Sequence, residues 1–218
     1  MPSCLNALPL RLYAFTPLRL YAFTAFLSQM SGIAIFAKKN TMKRILLAAI
    51  SAVIISISLN GQDKKVYENG YIVKVGDQAP DFAIMEAGGK SYRLSDLRGK
   101  VVMLQFTASW CSVCRQEMPF IEKEIWLPNI KSDLAVIGID RDEPLDKVLK
   151  FKKDIGVTYP LALDPGADIF GLYALKEAGV TRNVIIDRSG KIIFLTRLFD
   201  RDEFDLMKKA IVTELARK

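Results

Sequence analysis

Two cysteines separated by two residues, Cys111 and Cys114, are the side chains of this sequence whose type and spacing best suit chemistry. They lie in the stretch SWCSVCRQEMP, which also supplies Trp110, Glu117 and Pro119. Such a pair could bind a metal ion, form a structural disulfide, or exchange electrons with the disulfide of another protein. The composition and the neighbouring elements decide between these three kinds of chemistry.

The absence of histidine restricts the possible chemistry most. It removes Ser–His and Cys–His nucleophile pairs and imidazole metal ligands. A zinc or iron–sulfur site needs about four ligands, whereas this pair supplies two and the remaining cysteine, Cys4, lies far upstream. We therefore expect no metal and no other cofactor, although a two-thiolate Cu(I) site stays open. A structural disulfide is disfavoured because the loop that it would close is very short.

The position of the pair favours redox exchange. A buried strand, KVVMLQFTA at residues 100–108, precedes a helix that we expect from about Cys111 to Glu124, kinked at Pro119. A thiol at the start of a helix faces unpaired backbone N–H groups and the positive end of the helix dipole. Such sites lower a cysteine pKa from about 8.5 to between about 3.5 and 7.5. Cys111 is thus the expected nucleophile, and Cys114, further into the helix, the resolving thiol.

Strands and helices alternate along the rest of the chain. We expect a hairpin at 81–97 with its turn at Gly88-Gly89, strands at 133–140 and 160–163, helices at 145–155 and 166–174, a hairpin at 183–197, and a terminal helix at 200–217. Strand–helix–strand units imply parallel pairing, and a closing hairpin adds antiparallel strands. The expected fold class is therefore α/β, with a mixed central β-sheet flanked by helices.

The N-terminal region has the composition of a leader. Met42-Lys43-Arg44 and the apolar run from Ile45 to Leu59 have the pattern of a signal peptide. We expect residues 1–41 to be a non-domain extension or an incorrectly assigned start, 42–61 a signal peptide, and 62–218 one domain. The run is short for a membrane span, which needs about 20 apolar residues, but an uncleaved membrane anchor is the alternative.

The charge distribution argues against nucleic-acid binding. Of the 31 Lys and Arg residues, six lie in residues 1–61, which contain no Asp or Glu. The remainder carries 25 basic and 24 acidic residues, a net charge of +1. The formal net charge of +7 therefore belongs mostly to the leader.

Four motifs in order carry a family resemblance: GDQAPDF, LSDLRGKVVMLQF, ASWCSVCRQEMP and VIIDRSGKII. From about Val75 to the C-terminus the chain resembles thioredoxin-like redoxins of the TlpA/ResA type. The resemblance implies a thioredoxin-like fold with an N-terminal β-hairpin and an extra strand–helix insertion. It also implies a thiol-disulfide oxidoreductase of the protein-disulfide reductase type, in which Cys111 attacks and Cys114 resolves.

The same resemblance assigns roles to further residues. Glu117 matches an acidic residue that tunes thiol acidity, with a solvated glutamate on the helix face as the alternative. Gln105 stands where thioredoxins carry an acid, so a proton relay would use Glu117 or water. Apart from the resemblance, the position of Trp110 directly before Cys111 predicts either that it covers the pair or that it is an ordinary core aromatic.

Thr181 falls at the family's cis-proline position. Because a cis bond before a residue other than proline costs about 2.5–4 kcal/mol, we expect a trans Val180–Thr181 peptide and an altered substrate-docking edge. Arg182, the next residue, could place positive charge near the thiolate, but an ordinary surface arginine is the favoured interpretation.

The resemblance implies a periplasmic protein that reduces disulfides of other exported proteins, recharged by a thiol protein that we expect to be membrane-bound. Anchoring to the inner membrane follows if the signal is uncleaved. Two alternatives remain open. A peroxiredoxin-type thiol peroxidase shares the APDF opening, but Leu104 and Ala108 replace the Pro and Thr of its PxxxTxxC pattern. A non-enzymatic metallochaperone or binding module is the other.

Overall fold

The computed structural model describes residues 65–217. The expected extension at 1–41 and signal peptide at 42–61 lie outside the described residues. Between residues 65 and 217, no helix combines the length and the apolar character that crossing a bilayer requires.

Within residues 65–217, seven strands form two sheets. They are β1 (Ala83–Met85), β2 (Ser91–Arg93), β3 (Val101–Thr107), β4 (Leu134–Arg141), β5 (Leu161–Asp164), β6 (Arg182–Ile186) and β7 (Ile192–Arg197). The first two form an antiparallel hairpin of their own, and the other five form one sheet in the order β5-β4-β3-β6-β7. Strand β3 pairs in parallel with β4 and antiparallel with β6, so the expected mixed sheet is confirmed.

The α-helices are α1 (Ser112–Phe120), α2 (Leu127–Asn129), α3 (Leu145–Ile155), α4 (Phe170–Tyr173) and α5 (Arg201–Ala216). Two of their ends follow predicted signals. Gly156 adopts a left-handed conformation, φ 76°, at the C-terminus of α3, a position where glycine has no steric penalty. The side chain of Asp200 accepts from the backbone N–H of Glu203 at the start of α5, which pairs one of the free N–H groups there.

Two helices differ from the sequence prediction. The helix after the cysteines is α-helical only to Phe120 and continues as a π-helix over Ile121–Trp126. Pro119 has no N–H for the carbonyl four residues earlier, which disrupts regular α-helical bonding at this point. The helix expected at 166–174 is a 3₁₀ turn, Pro165–Ala167, followed by the short α4, because Gly166 has a positive φ of 70°.

The central position of β3 places the site. All seven residues of β3 are buried, which explains its mostly apolar sequence, since central strands of such sheets are covered on both faces. The chain leaves the carboxyl end of β3 at Thr107 and enters α1 at Ser112. The cysteine pair therefore lies at the edge of the sheet where β3 ends.

Candidate active site

The two cysteines lie at the start of α1, as expected. Cys111 is the N-cap residue, and its Sγ accepts from the backbone N–H of Cys114 at 3.1 Å. The two Sγ atoms form a disulfide, with the Cα atoms 5.3 Å apart. Cys111 is 7% exposed and Cys114 is fully buried. An incoming disulfide can therefore reach Cys111 far more readily than Cys114.

Thr181 lies directly against the disulfide. Its Oγ1 is 2.8 Å from the Sγ of Cys114 and 3.3 Å from the Sγ of Cys111. The Val180–Thr181 peptide is cis, so the expectation of a trans bond was wrong. That expectation rested on the preference of an isolated peptide, whereas Thr181 is fully buried and its carbonyl accepts from the N–H of Leu198 at 3.1 Å. Tertiary contacts of Thr181 therefore determine the conformation of the Val180–Thr181 peptide.

Glu117 is buried one helical turn beyond Cys114. Its carboxylate accepts from Gln105 Nε2 at 3.1 Å and from Asn183 Nδ2 at 2.6 Å. Burial raises the pKa of Glu117 to about 7, although the two hydrogen bonds act in the opposite direction. The alternative of a solvated glutamate is thus wrong. A carboxyl group with a pKa near neutrality can take up or release a proton at working pH.

The network around Glu117 extends across the sheet. The hydroxyl of Tyr159 donates to Gln105 Oε1 at 2.8 Å, which fixes the orientation of that amide. Asn183 also donates to Thr196 Oγ1 at 2.9 Å, while within residues 65–217 its own Oδ1 has no hydrogen-bond partner. Rotation of this amide by half a turn would present Oδ1 to a protonated Glu117. The network can therefore accommodate both charge states of the carboxyl group.

The structure also places the three remaining residues singled out in the sequence, Trp110, Pro119 and Arg182. Trp110 is 64% exposed, so it is not a core aromatic. Pro119 lies in α1, at its penultimate residue. Arg182 is 1% exposed, so the surface interpretation was wrong. Its Nε donates to the carbonyl of Gly179 at 2.9 Å, and its guanidinium stacks on the ring of Tyr71, 4.5 Å from the centroid.

A buried carboxylate that was not predicted from the sequence holds the turn before Cys111. Glu143 accepts from the N–H of Ser109 at 2.5 Å and from its hydroxyl at 2.6 Å. Nearby Asp140 is fully buried, and burial together with the charge of Glu143 raises its pKa to about 8. The available signal was the acidic sequence IDRDE at the carboxyl end of β4, since neighbouring parallel strands end at the same edge of a sheet.

Asn183 and Tyr159 were also missed. Asn183 is a polar residue in the otherwise apolar run NVII, and this interruption of a buried strand was the signal that could have identified it. Tyr159 carried no comparable signal. Among the described residues no group of three or more His, Cys, Asp or Glu side chains is placed to hold a metal ion.

Comparisons with known proteins identify relatives of this chain. Residues 75–195 match the AhpC/TSA family. The chain is 30% identical over 155 residues to the thiol-disulfide oxidoreductase ResA of Geobacillus thermodenitrificans, which covers 69% of this chain and 87% of the relative. It is 32% identical over 121 residues to ResA of Bacillus anthracis, covering 56% of this chain and 68% of that relative.

Solved structures of two similar proteins share this fold. A solution structure from Bacteroides thetaiotaomicron, of a protein proposed to be a protein disulfide isomerase, is 64% identical, with a TM-score of 0.66 and coverage of 68% of this chain and 94% of that one. A crystal structure from Chlorobium tepidum, of a protein proposed to be the thiol:disulfide interchange protein DsbE, is 28% identical, with a TM-score of 0.59 and coverage of 66% and 99%. Both similarities extend over the α/β fold with its mixed central sheet, which is a thioredoxin-like fold.

Proposed function

The chain belongs to the AhpC/TSA family and is a thiol-disulfide oxidoreductase of the ResA and DsbE type, and we propose that it is exported and reduces disulfides in other exported proteins. The observation that carries the exchange chemistry of this proposal is the contrast between the two sulfurs. Cys111 lies at the N-terminus of α1, where Cys114 N–H donates to its sulfur, and Cys114 is fully buried beside it. This contrast supports attack by Cys111 and resolution by Cys114.

The reaction consumes one dithiol and one disulfide. The thiolate of Cys111 attacks a sulfur of the client disulfide, forms a mixed disulfide, and releases one client thiolate, which takes a proton from water. Cys114 then loses its proton to water, and its thiolate attacks the sulfur of Cys111. This attack forms the Cys111–Cys114 disulfide and releases the second client thiolate, which takes up a proton. Two electrons pass to the client, and an external dithiol must return two electrons to the protein.

Export and direction rest on the leader and on the family resemblance. The run from Ile45 to Leu59 after Lys43-Arg44 supports a periplasmic location, with membrane anchoring if the leader is retained. We expect the mature chain to begin near Gln62, which mass spectrometry of the exported protein measures. The electron donor is then a membrane-bound thiol protein, and the clients include apocytochromes and periplasmic enzymes.

Trapping of the mixed disulfide tests the function. In the Cys114→Ser variant the attack of Cys111 still proceeds but resolution cannot, so covalent complexes should accumulate in cells and dissolve on addition of dithiothreitol. The double variant Cys111→Ser/Cys114→Ser is the matched control and should capture nothing through this site. Equal capture by both variants, or no reductant-sensitive complex with Cys114→Ser, would contradict the proposal.

An activity assay separates the alternatives that the sequence left open. We expect the purified protein to accelerate the reduction of insulin disulfides by dithiothreitol, and this acceleration to disappear in Cys111→Ser. A thiol peroxidase would instead consume hydrogen peroxide with a thiol reductant. A metallochaperone would bind Cu(I) stoichiometrically in its reduced form without reducing insulin.

A further inference from the structure

The hydroxyl of Thr181 contacts both reacting sulfur atoms. It lies 2.8 Å from Cys114 Sγ and 3.3 Å from Cys111 Sγ, and within residues 65–217 these sulfurs are its hydrogen-bond partners. Neither sulfur of a disulfide carries a proton, so the hydroxyl is the donor in this contact. One donor thus reaches both sulfurs between which the negative charge moves during exchange.

Apart from the Thr181 hydroxyl, the two sulfurs differ in the groups that can stabilise a negative charge on them. Cys111 Sγ accepts from the backbone N–H of Cys114 and lies at the N-terminus of α1. Cys114 Sγ is fully buried, and its hydrogen-bond partner among the described residues is Thr181 Oγ1. A buried charge without a donor is strongly disfavoured. The resolving thiolate therefore depends on Thr181 more than the attacking thiolate does.

The segment that precedes Thr181 is held in place by two arginines. Arg141 donates from Nη1 to the carbonyl of Ala178 at 2.6 Å and from Nη2 to that of Lys176. Arg182 donates to the carbonyl of Gly179 at 2.9 Å. Three of the four residues from Lys176 to Gly179 are thus bound by guanidinium groups. The contact between Thr181 and the sulfurs is therefore held by fixed backbone rather than by a free loop.

We propose that Thr181 is a catalytic residue whose hydroxyl donates first to the Cys111 thiolate and then, once the mixed disulfide has formed, to the Cys114 thiolate that resolves it. The inference rests on the proposed function and deepens it. No proton leaves the hydroxyl: its hydrogen turns from one sulfur to the other as the charge moves. The electrons follow the exchange described above, from the Cys111–Cys114 dithiol to the client disulfide.

The proposal predicts unequal effects on the two steps. Loss of a hydrogen bond to a charged group changes an equilibrium by about 10- to 100-fold, so removal of the hydroxyl should slow resolution by about that factor. Attack by Cys111 should change less than about threefold, because the backbone N–H of Cys114 and the N-terminus of α1 still stabilise its thiolate. The mixed disulfide should consequently accumulate.

The test is a single-turnover reaction of the fully reduced chain with oxidised glutathione at pH 7, quenched with acid and read by mass spectrometry as reduced, mixed-disulfide and oxidised fractions. Thr181→Val removes the hydroxyl and keeps the branched shape, Thr181→Ser keeps the hydroxyl, and Thr181→Ala is a second hydroxyl-free variant if the valine variant does not fold. Thr107→Val is the matched control. Thr107 is also fully buried, but its hydroxyl contacts the sulfur of Met118 at 3.5 Å.

We expect the mixed disulfide to accumulate in Thr181→Val and Thr181→Ala, while Thr181→Ser and Thr107→Val resolve it within about threefold of the unaltered protein. Resolution at the unaltered rate in the hydroxyl-free variants, or an equal loss in Thr181→Ser, would overturn the inference. Failure of the proposed function looks different, since the unaltered protein would then form no disulfide with the substrate at all.

Discussion

At the scale of single residues, Glu117 is a buried group near the disulfide whose charge depends on ordinary changes of pH. It is 1% exposed, and burial raises its pKa from 4.5 to about 7. Between these two values the folded protein binds more protons than the unfolded chain. Its stability therefore falls as the pH rises through this window, and the contribution of Glu117 is fully present only below about pH 4.5.

We predict that the difference in free energy of unfolding between the unaltered protein and Glu117→Gln changes by about 3 kcal/mol between pH 4.5 and pH 8. The unaltered protein should lose stability relative to the variant as the pH rises, because Glu117 becomes a buried charge. Glutamine does not ionise, so its contribution does not change with pH. Urea unfolding of the reduced proteins at several pH values measures this. Glu124→Gln is the control, since Arg201 and Lys208 hold the pKa of Glu124 at about 2. A pH-independent difference for Glu117→Gln would contradict this reading.

The identity of the reacting residues was accessible from the sequence, but their surroundings were not. The spacing of Cys111 and Cys114 at the end of an apolar strand predicted their place in the fold. Whether Trp110 and Arg182 are exposed depends on which other segments cover them. Arg182 is covered by the segment around Tyr71, more than a hundred residues away in the chain, and no local pattern predicts such a contact.

At the scale of elements, Arg141 connects the end of β4 to the segment that carries Thr181. Its guanidinium donates to the carbonyls of Ala178 and Lys176 and lies 4.4 Å from the ring centroid of Phe170. The segment Lys176–Val180 has no regular secondary structure to hold it. Its position beside the sulfurs should therefore depend on this side chain.

We predict that Arg141→Ala lowers the free energy of unfolding by about 1.5–3 kcal/mol, because two carbonyls lose a charged donor. It should also speed amide hydrogen exchange in residues 176–181. Arg93→Ala is the matched control, because Arg93 is an exposed arginine paired with Asp81 and such surface pairs contribute about 0–1 kcal/mol. Equal effects of the two substitutions on stability and on exchange would show that Arg141 does not anchor the segment.

Helices with local sequence signals were predicted correctly, whereas features without such signals were not. Helix α5 was predicted because Asp200 and Glu203 mark its start and its apolar face repeats at helical spacing. The π-helix over Ile121–Trp126 was not, since Pro119 predicts a disturbance of the helix but not its form. The short α4 was predicted too long because Gly166 has a conformation that a helix cannot continue through.

At the scale of the whole molecule, the alternation of strands and helices was enough to predict a mixed sheet. Parallel pairing of β3 with β4 and of β4 with β5 follows from the helices between them, and antiparallel pairing of β6 with β7 follows from the short turn. What brings the site together is the placement of β6 beside β3. That pairing carries Thr181 and Asn183 to the cysteines, and only the family resemblance pointed to it.

The start of α1 should make Cys111 an unusually acidic thiol, and the pH dependence of its alkylation measures this acidity. Reduced Cys114→Ser protein is treated briefly with iodoacetamide from pH 4 to pH 10, and mass spectrometry of the Cys111 peptide gives the rate at each pH. We predict a midpoint at or below about pH 7.5. A midpoint near 8.5, the ordinary value for cysteine, would contradict the account.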